Sequence, residues 1–183
     1  MRLKVAALSV AAAFLLALAP FTVQFQPWQY NPENFPRIVV WAGCSAEVHV
    51  SDQHSPAESF YDPMNHEMYV GTREDGDIPY YAGLIILLHE TGHCLQNQSG
   101  FYSPYEYRRN PVPFELEADR QSADLACSLG LDGKKLLRDT FQWAHDEFAY
   151  NGDDNHGTLA ERMAMGDKAP ACQKQEPQRF ASL

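Results

Sequence analysis

The longest internal run of apolar positions, AGLIILLHETGHCLQ, lies within Ile78 to Gln98 and contains no proline. Its length exceeds that of an ordinary strand, so it predicts a buried helix ending near Ser99 and Gly100. A Tyr-rich segment punctuated by proline follows (FYSPYEYRRNPVP), and a second helix is expected from Pro113 to Gly130, with proline in its first turn and glycine at its end. A third is expected over Leu131 to Tyr150. The last should start at Thr158, where Thr-Leu-Ala-Glu supplies a capping box closed by Glu161.

Ahead of the helices the period shortens. Arg37 to Trp41 and Glu47 to Val50 carry β-branched residues with turn residues between them, and each predicts a strand. Ser59 to Tyr61, the turn Asp62-Pro63-Met64-Asn65 and Glu67 to Val70 predict a hairpin, whose second arm is expected to lie at a sheet edge and pair with extended substrate backbone. The whole pattern is α+β, a small mixed sheet followed by helices. No repeat or low-complexity tract interrupts it.

Composition adds that 45% of the 183 residues are hydrophobic and 21% charged, the usage of a folded domain. The N-terminus, MRLKVAALSVAAAFLLALAP, has two early positive charges and then an apolar run to Ala19, the layout of a secretory signal. Ala17-Leu18-Ala19 fits the small-x-small cleavage rule but Pro20 follows it, so residues 1–19 are expected to act as a signal peptide or as an uncleaved signal anchor attached to the membrane. Residues 20–36, rich in Pro, Gln and Asn, read as a linker or strap, leaving 37–183 as one domain. An extracytoplasmic location, periplasmic or secreted, is expected.

Charge and cysteine content sharpen this. The net charge is -10, or -12 without Arg2 and Lys4, and the basic pair Arg108 and Arg109 is flanked by Glu106 and Glu115, so a nucleic-acid partner is excluded. Four cysteines in an exported chain predict two disulfides. Their pairing is open, except that Cys94 and Cys127 should be too far apart if the first two helices pack antiparallel.

The chemistry sits in HETGH. His89 and His93, four residues apart on a helix, project from one face and can share a metal ion, and Glu90 beside them can reach a water there. In this HExxH pattern zinc lowers the pKa of water and the glutamate takes its proton. A catalytic zinc normally has three protein ligands, and Glu115 of the second helix is the best third. Asp119 and Ser122 share its stripe, whereas Glu117 points about 200° away toward Gln121. Asp119 is then suited to accept the outer N–H of a ligand histidine. Cys94 is turned about 100° from the histidine face and should pack or form a disulfide.

The segments ESFYDPMNHEMYVG, LIILLHETGHCLQNQSG, FELEADRQSADLACSLG and DNHGTLAERMAMG, in that order over most of residues 58–166, resemble the gluzincin metallopeptidases, and more narrowly a bacterial family of neutral zinc metallopeptidases. Cys94 stands where that family often has a second histidine. The resemblance implies a zincin-like fold, with an active-site helix and a glutamate helix, and one zinc held by His89, His93 and Glu115. It further implies Glu90 as general base and then acid, and Asp119 behind the ligands. Peptide or protein would be the substrate. His156, or a tyrosine among Tyr102, Tyr105 and Tyr107, is the candidate oxyanion donor. The rival function is a non-catalytic extracytoplasmic module in which zinc and disulfides staple a protein-binding fold. Asp153, Asp154 and Asn155 lack the closing carboxylate of a calcium loop, and His49, His54, His66 and His145 have no partner spacing and are expected at the surface.

Overall fold

The computed structural model describes residues 34–72 and 78–174. The leader (1–19) and nearly all of the expected strap lie outside these residues. The first element is a helix, α1 (Phe35–Trp41), where the sequence predicts a strand beginning at Arg37. Pro36 sits in its first turn, and Phe35, Ile38 and Val39 are buried at helical spacing while Val40 and Trp41 are exposed. Helical burial of one face outweighs the β preference of Ile-Val-Val, and the folded region begins at least two residues inside the expected strap.

Three strands follow, β1 (Glu47–Ser51), β2 (Phe60–Asp62) and β3 (Glu67–Gly71), in the order β1-β3-β2. β2 and β3 form the expected antiparallel hairpin, while β1 runs parallel to β3 with Glu47 opposite Glu67. β3 is therefore the central strand. Its hydrogen-bonding groups face strands on both sides, which overturns the expectation that Glu67 to Val70 forms an edge for substrate. Met68 and Val70 of β3 turn into the core and Tyr69 turns outward, the period-2 alternation of a sheet covered on one face.

The covering layer is helical. α2 (Tyr80–Gln98) sends Leu84, Ile85, Leu87 and Leu88 into the core, and each such buried side chain contributes about 1.5–3 kcal/mol. The short α3 (Pro104–Arg109) leads to α4 (Val112–Ser128), which packs antiparallel on α2. Gln96 near the end of α2 donates to the Phe114 carbonyl at the start of α4, and His89 near the middle of α2 meets Asp119. The approach is close because residue 92 is glycine: a Cβ there would lie 3.1 Å from the Ala118 Cα and 3.2 Å from its carbonyl oxygen.

α5 (Gly133–Phe148) buries Leu137 and Phe141, and a two-stranded ribbon, β4 (Gly152–Asp153) and β5 (Gly157–Thr158), leads into α6 (Leu159–Ala164). The capping box at Thr158 and Glu161 is present as expected. A last helix, α7 (Pro170–Lys174), returns to α4 through the Asp124 carboxylate, which accepts from the Ala171 N–H.

Two disulfides fasten these pieces. Cys44–Cys94 ties the turn after α1 to α2, and Cys127–Cys172 ties the end of α4 to α7. Cys94 and Cys127 are not paired with one another, in line with the antiparallel helix argument. The bridges accord with an oxidising compartment. Among the described residues no helix is long and apolar enough to cross a membrane.

Candidate metal centre

α2 and α4 bring together three side chains spread over 26 residues of sequence. His89 and His93 sit one turn apart with their Nε2 atoms 3.1 Å from each other; Glu115 approaches with Oε2 3.1 Å from His89 Nε2 and Oε1 3.4 Å from His93 Nε2. All three are buried, with His89 and His93 exposing 9% each and Glu115 2%. They can hold a metal ion as a group. With bonds of 2.0–2.1 Å, ligand atoms around a tetrahedral zinc lie about 3.3 Å apart, and the separations here are of that order.

The protonation of His89 makes the same point chemically. Its Nδ1 lies 2.8 Å from Asp119 Oδ1, and Asp119 also accepts two hydrogen bonds from Arg162, Nε to Oδ2 at 2.7 Å and Nη2 to Oδ1 at 2.9 Å. Asp119 is therefore an ionised acceptor, Nδ1 carries the proton, and Nε2 turns toward the Glu115 carboxylate and the second imidazole. Burial opposes a charge on His89, yet the Asp119 and Glu115 carboxylates outweigh it and raise its pKa. Burial likewise opposes ionisation of Glu115, but His89 and His93 hold its carboxyl below the usual range. The pocket draws in positive charge. A proton satisfies one of the three contacts, whereas a divalent cation satisfies all of them.

Asp119 occupies the position expected of it, behind His89, and Arg162 is a participant that the sequence reading missed. The Arg162 guanidinium is buried, donates Nη1 to the Tyr150 hydroxyl at 2.9 Å and lies 4.3 Å over the Phe141 ring. Burial raises the Asp119 pKa in isolation, and Arg162 with His89 reverses that and lowers it. The available signal is an arginine in α6 together with acceptor capacity that one histidine N–H leaves unused on Asp119. His93 is supported less fully: its buried Nδ1 has no hydrogen-bond partner among the described residues.

Glu90 is half-buried on the same helix, near enough to add to the charge felt by His89 and Tyr107. Its Oε2 accepts the Tyr61 main-chain N–H of β2 at 2.9 Å. Side-chain patterns carry no signal for this contact because the donor is backbone. Tyr61 is itself held by its hydroxyl, which receives Asn97 Nδ2 at 2.7 Å and lies 2.7 Å from His66 Nδ1.

Of the proposed oxyanion donors, Tyr107 donates its hydroxyl to Glu115 Oε1 at 2.6 Å; burial first, then this carboxylate, raises the phenol pKa. His156 places Nε2 3.8 Å from Glu115 Oε2, while its Nδ1 lies 2.8 Å from Asp153 Oδ1. Tyr102 packs between Tyr107 and Phe114, and Tyr105 is exposed. Glu117 faces outward as expected, paired with Arg120 and Gln121. His49, His54, His66 and His145 all have some exposure, but His49 and His66 have specific neighbours that spacing did not reveal.

Comparison with known proteins finds no matching family model, no matching curated protein and no matching solved structure.

Proposed function

We propose that this chain is an exported zinc peptidase of the gluzincin type, with a zincin-like fold, acting on peptide or protein substrates outside the cytoplasm. The observation that carries the proposal is the convergence of His89, His93 and Glu115 in a buried, cation-demanding cluster with Glu90 anchored on the same helix. Zinc bound by these three residues would supply Lewis-acid chemistry, lowering the pKa of water and polarising a peptide carbonyl.

Glu90 is the base that takes the proton of the attacking water and the acid that returns it to the leaving amine. The Tyr61 N–H fixes one carboxylate oxygen and leaves the other for that transfer. Tyr107 holds Glu115 in place through Oε1. His156, steadied by Asp153 and aimed at the cluster, donates to the oxygen that becomes negative during attack. The two disulfides and the leader-like N-terminus support the location.

The test combines zinc quantification with a cleavage screen on a proteome-derived peptide mixture, using wild type and Glu90→Gln. Wild type should hold zinc and cleave; the variant should keep its zinc and lose cleavage. Stoichiometric zinc without cleavage by wild type would favour the non-catalytic, zinc-stapled binding module.

A further inference from the structure

The outward face of the sheet gathers a second set of metal-binding side chains, on different elements from the first. Parallel pairing sets Glu47 opposite Glu67 and His49 opposite Tyr69, and period-2 alternation turns all four to the same face. His49 Nε2 lies 3.9 Å from Glu47 Oε1 and 3.8 Å from Glu67 Oε1. Both gaps are too long for a hydrogen bond. One ligand atom from each of the three residues falls within 4.8 Å of the others.

Two further observations mark these side chains as arranged. Although the His49 side chain is 40% exposed, its Nε2 atom is shielded from solvent and has no hydrogen-bond partner among the described residues. Such an atom normally finds one. Tyr69 fixes both neighbours at once: its ring stacks on His49 with centroids 4.9 Å apart, and its hydroxyl donates to Glu67 Oε2 at 2.5 Å. The other oxygen of Glu67 is thereby left toward the imidazole. Ligand atoms around a tetrahedral zinc lie about 3.3 Å apart, so the gaps of 3.9 and 3.8 Å need the Glu47 and Glu67 side chains to close in by about half an ångström.

We propose that Glu47, His49 and Glu67 form a surface site for a second first-row divalent cation, with water completing its shell. Imidazole and carboxylate donors suit zinc, and Tyr69 orients two of the three ligands. The cation bridges β1 and β3 where their parallel pairing begins.

Equilibrium dialysis of the full chain against Zn2+ alone, with metal quantified per chain, tests this. Wild type should bind two equivalents, His49→Ala one, His93→Ala one and the double variant none; Glu67→Gln should behave as His49→Ala does. Zinc should raise the melting temperature of His93→Ala but not of the double variant. One equivalent in wild type and none in His93→Ala would overturn the surface site and leave the helical one standing. A second equivalent that survives both His49→Ala and Glu67→Gln would overturn it too. Two equivalents in His93→Ala with one in His49→Ala would unseat the helical site and support this one.

Discussion

Arg162 grips Asp119 through two parallel hydrogen bonds, of 2.7 and 2.9 Å, with both partners buried. The fork of a guanidinium matches a carboxylate in a way that an ammonium does not. Because Asp119 also meets His89 Nδ1, whatever fixes Asp119 fixes the ring that faces the metal position.

Arg162→Lys should therefore keep the charge and lose the geometry. Loss of the partner directly behind a metal-liganding histidine costs about 10–100-fold in metal affinity; Asp119 stays in this variant, so zinc affinity measured by chelator competition should fall, by no more than that range. Arg162→Ala, which removes the guanidinium and leaves the buried Asp119 with His89 alone, should destabilise the protein by up to about 3–5 kcal/mol in denaturant unfolding.

Gly92 directly precedes His93 on α2, and its hydrogen faces the Ala118 backbone. Gly92→Ala should force α2 and α4 apart by a few tenths of an ångström. Overpacking of this kind costs about 1–3 kcal/mol, and because Glu115 rides on α4 the variant should also bind zinc more weakly. Unchanged affinity together with unchanged melting would contradict the close approach described here.

The Cys127–Cys172 bridge closes a loop of 45 residues. Chain entropy assigns such a link about 4 kcal/mol, and removal of native bridges typically costs about 2–5 kcal/mol. Cys127→Ser with Cys172→Ser should lose stability in that range and loosen α7 from α4, seen as faster amide exchange over residues 170–174.

Glu161 accepts from the Thr158 N–H and hydroxyl, and the backbone bond first of all holds its carboxyl below the usual value. With the folded pKa depressed, this cap contributes fully above the unfolded glutamate range and is lost as pH falls through the folded value. The melting advantage of wild type over Glu161→Gln should accordingly be constant near neutrality and shrink toward zero as the solution is acidified below about pH 4.3. An advantage that persists at low pH would show that the cap does not depend on ionisation.

Much of this was legible from side-chain spacing. The i, i+4 histidines, the stripe carrying Glu115 and Asp119, and the Thr158 cap follow from helical period alone, and the structure places each where that period puts it. The failures came where packing overrides local preference. Ile38-Val39-Val40 has the composition of a strand, yet Phe35 and Pro36 start a helix whose buried face includes two of those residues. The central position of β3 depends on β1 joining it in parallel, a long-range pairing with no local signature. Tyr61 supports Glu90 through its main chain, which no residue pattern encodes, and Arg162 is brought to Asp119 across 43 residues.

The separations themselves differ in kind. The contacts joining the two histidines to Glu115 span no more than 26 residues, while the clamp on Asp119 spans 43 and α7 reaches α4 across 47. Short-range contacts close at lower entropic cost and form sooner. A chain that emerges N-terminus first into the compartment where it folds can thus bring His89, His93 and Glu115 together before α6 arrives, with the distal part of the molecule following to lock an arrangement that already exists.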